Sequence, residues 1–245
     1  TTYTATITDT SLAASVLNTL NGNVPGLITA TSVSTITGTA AQLNTLIGNE
    51  GTTGDKVDLA SDVAITIDTG SASAAHLNTI NSGTTGLVTA TGVTALTGTA
   101  AQVNTLVGNE GSSGDKVDLD TDYTASITDT SVTAAVLNTL NDNVPGLITA
   151  TDVTTVTGTA AELNTLLSNE GTTGNKVNLA ADVAMTVSAG TTTASQLNTI
   201  NSGTTGLVTA TAVTAISGTA SDLNTLAGNE GTTGDKVDLK SDVAI

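Results

Sequence analysis

The sequence contains no cysteine, phenylalanine, tryptophan or arginine, and only two tyrosines and two prolines among 245 residues. Without cysteine there is no disulfide and no thiol nucleophile, and the redox compartment cannot be read from cysteine usage. Without large aromatic side chains, a core must be built in thin, regular layers of Val, Ile, Leu and Ala. Abundant Thr and β-branched residues favour strands, and Ala/Leu-rich stretches favour helices. The composition therefore predicts a mixed α/β fold.

Positive charge is also scarce, because five lysines face 22 acidic residues and the formal net charge is −17. This balance disfavours nucleic acid, whose phosphates need a basic surface, and an anionic membrane face. No apolar run approaches the roughly 18 residues of a membrane span, and no signal peptide or lipidation motif is present. We therefore expect no nucleic-acid partner and no membrane insertion.

Internal repeats dominate the chain. A tetrad Leu-Asn-Thr-Leu, with Ile and Val variants, begins at residues 17, 43, 77, 103, 137, 163, 197 and 223, so its intervals alternate between 26 and 34 residues. The pair makes a 60-residue repeat, at about 3–62, 63–122, 123–182 and 183–242. Repetition at this period is typical of solenoids, propellers and arrays. We expect one solenoid domain over residues 1–245, with about eight coils of about 30 residues each.

Each coil has a readable local pattern. A Thr or Ser followed three residues later by Gln, Glu, Asp or His predicts the start of a two-turn helix, and several of these pairs are predicted to be capping boxes; the pairs are Thr39/Gln42, Ser73/His76, Thr99/Gln102, Thr159/Glu162, Thr193/Gln196 and Thr219/Asp222. Before the helix, four units alternate as strands do, as in Val63-Ile65-Ile67. In the other four, apolar residues fall three apart, as in Val93/Leu96, which predicts a bend or bulge. A second short strand, GLITAT or KVDLAS, precedes this one, and we expect the strands to stack in parallel from coil to coil.

The most regular polar feature is the asparagine of each tetrad: Asn18, Asn44, Asn78, Asn104, Asn138, Asn164, Asn198 and Asn224. We expect a structural ladder in which each amide bonds to backbone or to the asparagines of adjacent coils. A ligand-binding row of amides is the alternative interpretation.

An acidic loop, NEGTTGDKVDLASD, occurs at 49–62 and returns at 109–122, 169–182 and 229–242. Clustered carboxylates suit Ca²⁺, so the candidate metal ligands are Glu50, Asp55, Asp58, Asp62, Glu110, Asp115, Asp118, Asp122, Glu230, Asp235, Asp238 and Asp242. Against calcium, the third copy carries Asn175 and Asn178, every copy contains a lysine, and the spacing matches no EF-hand loop or calcium-binding β-roll. The alternative is a solvated loop whose lysine pairs with aspartates of neighbouring units.

Other chemistry has little support in the sequence. Thr-x-Thr pairs such as Thr29/Thr31 resemble ice-binding ranks, but residues such as Leu59 are expected at the matching place in alternate coils and would interrupt them. A catalytic triad needs a histidine, and the single one, His76, falls in a capping-box position. We therefore predict no enzyme and no cofactor other than the calcium considered above.

The strings VTALTGTAAQVNTL and TDTSLAASVLNTL resemble the tandem repeats of giant secreted or cell-surface proteins of bacteria, especially marine cyanobacteria. The resemblance covers the whole chain and implies a secreted or cell-surface location and a structural or adhesive role. Similar phrases occur in phage tail fibres, and the near-identity of the 120-residue halves also fits a consensus or engineered repeat sequence.

The two ends lack atypical capping repeats. The chain opens at a strand, Thr1–Ile7, and stops inside another, Asp242–Ile245. We expect a segment of a longer array whose partners are neighbouring repeats of the same protein, with terminal coils that associate end to end.

Overall fold

The chain repeats one small set of elements along its length. The computed structural model describes residues 3–244, so Thr1, Thr2 and Ile245 of the predicted terminal strands lie outside the described residues. Within that range there are eight helices: α1 Ala14–Asn23, α2 Ala40–Gly48, α3 Ala74–Ser82, α4 Ala100–Gly108, α5 Ala134–Asn143, α6 Ala160–Ser168, α7 Ala194–Ser202 and α8 Ala220–Gly228. All are nine or ten residues long, which is too short to persist alone in water.

The strands are shorter still. Those of the first half are β1 Ala5–Thr6, β2 Ser11–Ala13, β3 Ile28–Ala30, β4 Thr35–Gly38, β5 Val57–Leu59, β6 Ala64–Ile67, β7 Gly70–Ser73, β8 Val88–Ala90, β9 Val93–Gly98 and β10 Val117–Leu119. Those of the second half are β11 Thr124–Ile127, β12 Ser131–Thr133, β13 Ile148–Ala150, β14 Thr155–Gly158, β15 Val177–Leu179, β16 Ala184–Val187, β17 Gly190–Thr193, β18 Val208–Ala210, β19 Val213–Ser217 and β20 Val237–Leu239.

The contacts divide the chain into two compact units. The first comprises the described residues up to Gly98 together with Gln102–Thr124, and the second comprises Thr99–Ala101 and the described residues from Ala125 onward. In the first unit the strands form a sheet of order β1-β3-β5, a five-stranded sheet of order β2-β4-β6-β8-β10, and the pair β7-β9. In the second, β11-β13-β15 lie side by side, β12-β14-β16-β18-β20 form a five-stranded sheet, and β17 pairs with β19.

The strand pairs within each unit are parallel, as the sequence predicts. In the first unit Thr35 lies beside Ser11 on one side and beside Ala64 on the other, so strands from successive segments stack in one sheet. Parallel strands are normally covered on their faces, and here the short helices contact the strands, as α1 does with β2 and β4. Repeated strand–helix segments in parallel sheets fit the class of tandem-repeat solenoids.

The core is aliphatic, as the lack of aromatics requires. The alternating strand residues Val63, Ile65 and Ile67 are at most 4% exposed, and helices α2 to α7 bury both apolar residues of the tetrad, as Leu43 and Leu46 of α2 show. The pattern is weaker in the first repeat, where the strand is reduced to β1 and Tyr3 is exposed.

The predicted irregularity before alternate helices takes two forms. In β9, Val93 lies opposite Gly70 and Ala95 opposite Ser71, so Thr94 is an extra residue, which is a β-bulge. The same shift occurs between Gly190 and Thr191 beside β19. Ahead of β4 and β14 a turn replaces the bulge.

Sequence analysis missed one strand in each 60-residue repeat. β2, β7, β12 and β17 run directly into the helices α1, α3, α5 and α7, where the sequence suggests only a helix cap. At the start of β7 and β17, Gly70 and Gly190 have positive φ angles of 119° and 141°, which favour glycine.

Candidate functional site

The tetrad asparagines connect each helix to the next. The Nδ2 atoms of Asn18 and Asn78 donate to the backbone carbonyls of Gln42 (2.8 Å) and Gln102 (2.9 Å). In the second unit the Nδ2 atoms of Asn138 and Asn198 donate to the carbonyls of Glu162 and Asp222, both at 3.0 Å, and that of Asn164 donates to Ala160 (2.7 Å) and Gln196 (3.3 Å). These amides bond to backbone of the following helix.

The same helices leave buried amide oxygens without a partner. The Oδ1 atoms of Asn18, Asn78, Asn138 and Asn198 accept no hydrogen bond from the residues that the structure describes. In a second row, which sequence analysis missed, Oδ1 is likewise without a partner among residues 3–244: Asn21, Asn81, Asn141 and Asn201. These four lie three residues after the tetrad asparagine and recur every 60 residues, so the signal was present in the sequence. A buried acceptor without a hydrogen bond lowers the free energy of unfolding, so the amide oxygens of both rows destabilise the fold.

The helix starts use capping hydrogen bonds in several predicted places. Complete capping boxes form at Thr39, Thr159 and Thr193. Thr219 accepts from the backbone of Asp222 without the reciprocal bond. At α3, Ser73 makes no side-chain cap hydrogen bond, so the pair Ser73/His76 does not form a capping box.

The acidic loops share one backbone conformation. Each contains a glycine with positive φ, namely Gly54, Gly114, Gly174 and Gly234, and each places its glutamate beside the valine of the following strand, as in Glu50 beside Val57. Glycine is suited to such turns because it lacks a Cβ. Each acidic loop therefore connects one of the helices α2, α4, α6 and α8 to the strand that follows it.

Within residues 3–244 the loop lysines form no ion pair with aspartates of neighbouring units, so that expectation is wrong. The Nζ atoms of Lys56, Lys176 and Lys236 donate to the carbonyls of Gly48 (3.2 Å), Ser168 (3.3 Å) and Gly228 (3.4 Å) at the ends of the preceding helices. A cation there is favoured by the helix dipole. Among residues 3–244 the only ion pair is local, between Lys240 and Asp242 at 2.9 Å. This contact lowers the pKa of the Asp242 carboxyl.

The candidate metal ligands come together only in part. In the second loop, burial and the charge of Asp118 raise the pKa of Glu110. Glu50 and Asp58 of the first loop and Asp115 of the second line one groove. Within residues 3–244, however, no three carboxylate, histidine or cysteine side chains form a group that could hold a metal ion. Acidic residues of two loops thus lie in one groove, as the calcium hypothesis requires. They do not form a cluster of calcium ligands within residues 3–244.

This groove, of about 640 Å³, lies in the first unit and is also lined by Asn81, Thr84 and Thr85. The hydroxyl of Thr84 donates to the Val63 carbonyl at 2.6 Å, and that of Thr85 donates to the Ser61 carbonyl at 3.1 Å, so both protons are engaged. A counterpart of about 330 Å³ in the second unit is lined by Asn201, Thr204, Thr205 and Asp235. Both grooves are rich in hydrogen-bond acceptors, a chemistry unsuited to anions.

Threonine rows occur, but their register differs from the expectation. Thr29 lies beside Asp58 in the parallel pairing, and Leu59 lies beside Ala30 instead. The prediction that Leu59 takes the place matching Thr29 is wrong by one residue. In the second unit Thr157, Thr186 and Thr209 are adjacent on successive strands, and the row continues to Asp238.

Tyrosine 123 is the remaining unusual polar group. Its ring is 1% exposed, and its hydroxyl has no hydrogen-bond partner among the described residues. Burial, with a smaller contribution from the charge of Glu110, raises the pKa of this phenol well above its usual value. The valines Val63 and Val183 fill the same position in neighbouring repeats, so Tyr123 acts as an oversized core residue.

The chain was compared with protein-family models, curated proteins and solved structures, and none matches it. None of the helices within residues 3–244 has the length and apolar character needed to cross a membrane.

Proposed function

We propose that this chain is a structural repeat module, a solenoid of about eight coils that acts as a spacer in a large extracellular or cell-surface protein and catalyses no reaction. The observation that supports it most is the use of the periodic polar groups. The tetrad asparagines bond to backbone of the next helix, and the loop lysines bond to helix ends. The periodic asparagines and lysines therefore have a structural role, because their hydrogen bonds hold together the repeated segments of the fold.

The extracellular location in this proposal comes from the resemblance of the repeats to secreted and cell-surface bacterial proteins. The net charge of −17 supports it, because an acidic surface keeps a long protein dispersed in salt. The absence of cysteine makes such a module independent of disulfide formation.

The experiment is thermal unfolding followed by circular dichroism, in millimolar calcium and then in a chelator. A spacer held by its own core has the same midpoint in both conditions. A ligand that binds only the folded state raises the midpoint, because it stabilises that state by about RT ln(1 + [L]/Kd). A calcium-dependent rise would therefore replace the spacer by a calcium-dependent adhesin.

Matched variants locate any such effect. Asp58→Asn and Asp115→Asn remove carboxylates from the groove of the first unit, and Asp182→Asn removes one outside both grooves. If calcium acts at the groove, the first two abolish the rise and the third leaves it unchanged. An equal loss in all three would indicate only general screening of negative charge.

A further inference from the structure

The groove of about 640 Å³ in the first unit brings three carboxylates to one concave surface. We call it the acceptor groove and define it by Glu50, Asp58, Asn81, residues 82–85 and Asp115. Within residues 3–244 none of its carboxylates has a cationic partner, since the one ion pair lies near the end of the described chain. The acceptor groove therefore carries negative charge that the protein leaves uncompensated.

The hydrogen-bond donors of residues 82–85 are directed into the protein. The hydroxyl of Ser82 donates to the Thr79 carbonyl at 2.8 Å, and those of Thr84 and Thr85 also donate to backbone carbonyls. The backbone N–H groups of Gly83 and Thr85 are bonded to carbonyls as well. A ligand therefore meets lone pairs along this segment, and the ligand itself must supply the donors.

Asn81 adds a buried amide that lacks a donor. The residue lines the acceptor groove and is only 8% exposed, and its Oδ1 accepts no hydrogen bond from the part of the chain that the structure describes. This oxygen is shielded from water, and a half-turn of the amide exchanges it with Nδ2. The matching residues of α2 and α6 are Ile47 and Leu167, so the fold does not require an amide here. A donor bound in the groove would complete it.

The acceptor groove also lies at the carboxyl end of α3, where the helix dipole favours a cation. At the ends of α2, α6 and α8 the chain places its own cation, because the Nζ atoms of Lys56, Lys176 and Lys236 donate to carbonyls there. Helix α3 has no basic residue in its last turn and is followed by the uncharged residues 83–85. An ammonium group from a ligand would take at α3 the place that a lysine takes at α2.

The arrangement suits an extended organic cation better than a metal ion. Among the described residues no three carboxylate, histidine or cysteine side chains converge on a metal position, whereas Ca²⁺ takes about six to eight oxygens. Two ammonium groups joined by an alkyl chain can bond to carboxylates that lie apart. Leu59 and Ala60 also line the groove and offer the alkyl chain an apolar contact. The volume is in the range of small-molecule sites.

We propose that the acceptor groove binds a small linear diamine or polyamine, whose ammonium groups donate to Asp58, Asp115 and the carboxyl end of α3. This is a binding activity beyond the spacer role, and it does not rest on that role. The counterpart groove of the second unit is smaller, about 330 Å³, and Asp235 is the acidic residue that lines it. Asn178 stands there in the position of Asp58, so we expect the first unit to hold the stronger site.

The test is isothermal titration calorimetry at pH 7 and an ionic strength of about 0.1 M, at which charges more than about 10 Å apart are screened. We expect hexamethylenediamine to bind at a single site with a Kd of about 1 mM or lower. Hexamethonium carries the same two charges at the same spacing but has no N–H donor, so it should bind at least about fivefold more weakly. Calcium has the same charge and should not displace the diamine at equal concentration.

Matched variants locate the site. Asp58→Asn and Asp115→Asn should each raise the Kd for hexamethylenediamine about three- to tenfold, whereas Asp68→Asn, which removes an exposed charge of the same unit outside the groove, should raise it less than about twofold. Asn81→Leu should weaken binding about threefold without a change of charge, and Asn201→Leu in the counterpart groove should not. Circular dichroism establishes that every variant is folded.

Two results would overturn the proposal. Equal affinities for hexamethylenediamine and hexamethonium would mean that the chain attracts cations only through its net charge of −17. Absence of diamine binding, or binding that Asp58→Asn and Asp115→Asn weaken no more than Asp68→Asn does, would show that the acceptor groove is not the site.

Discussion

At the scale of single residues, the two tyrosines show how environment decides the effect of one hydroxyl group. Tyr3 is exposed and its hydroxyl donates to the Asn23 carbonyl at 2.9 Å. Tyr123, which holds the matching position two 60-residue repeats later, is buried and its hydroxyl has no partner among the described residues. A buried polar group without a partner is destabilising, whereas an exposed hydrogen bond contributes little.

We therefore predict opposite effects of removing each hydroxyl. Tyr123→Phe should raise the free energy of unfolding by about 1 kcal/mol, because the ring stays in place and an unsatisfied group disappears. Tyr3→Phe should lower it by less than about 1 kcal/mol. Denaturant unfolding at pH 7 measures both.

Since the pKa of Tyr123 is raised in the fold, its ionisation opposes folding, and the wild type should lose more stability than Tyr123→Phe above pH ~10. A destabilised Tyr123→Phe at pH 7 would mean that the hydroxyl has a partner, such as a bound water.

The two asparagines of one helix should likewise respond differently to the same replacement. Asn141 is 7% exposed, and its Oδ1 accepts no hydrogen bond within the described part of the chain. The aliphatic Ile47 and Leu167 occupy the matching positions of α2 and α6. Asn141→Leu should raise the free energy of unfolding by about 1 kcal/mol, whereas Asn138→Leu should lower it by about 1–2 kcal/mol, since it removes the bond to the Glu162 carbonyl. Thermal unfolding midpoints compare them directly. Equal losses in both would show that Asn141 also bonds within the fold.

At the scale of elements, the helices and the alternating strands follow from the sequence because their signals are local. A threonine cap followed by an Ala-Ala-x-Leu pattern specifies a short helix wherever it occurs, and period-two alternation at Val63, Ile65 and Ile67 specifies a strand with one buried face. The strand register does not follow, because it depends on how many residues the loops and turns consume. That is why Thr29 meets Asp58 and not Leu59.

The candidate site could be predicted less well than the fold. The tetrad asparagines can be identified from the sequence because they repeat. Their carbonyl partners cannot, because these depend on the packing of one helix on the next. Carboxylates that are close in sequence, such as Asp55, Asp58 and Asp62, lie on a bend, a strand and a turn, and within residues 3–244 they form no group that could hold a metal ion. Proximity along the chain was therefore a poor guide to proximity in space.

Helix caps give an element-scale prediction, since similar sequences form different bonds. Thr159 forms a complete capping box on α6, and Ser73 makes no side-chain bond at the start of α3. Thr159→Ala should lower the free energy of unfolding by about 1 kcal/mol, and Ser73→Ala should change it by less than about 0.5 kcal/mol. Chemical denaturation of the two variants beside the wild type measures the difference. An equal loss at both positions would indicate that Ser73 also caps its helix in solution.

At the scale of the whole molecule, the dominant quantity is the excess of carboxylates, 22 acidic residues against five lysines. Three of these lysines, Lys56, Lys176 and Lys236, bond to helix ends, and only Lys240 pairs with an acidic side chain among residues 3–244. The folded chain brings carboxylates nearer to one another than an expanded chain does, so their repulsion opposes folding at neutral pH.

Glu110 is a single carboxylate at which this repulsion can be tested, because its effect on stability should depend on pH in a known direction. Burial and the charge of Asp118 raise the pKa of Glu110 in the fold, so the folded state binds this proton more tightly than the unfolded state. The stabilisation is present below the unfolded pKa of about 4.3 and is lost as the pH rises through the higher folded value.

Glu110→Gln should therefore be more stable than the wild type at pH 7, by less than about 1 kcal/mol because the side chain remains exposed to water. The advantage should vanish near pH 4 and shrink in high salt. Thermal midpoints are measured against pH, with Glu50→Gln of the first loop as the matched control. Equal gains in both variants at every pH would refute this account.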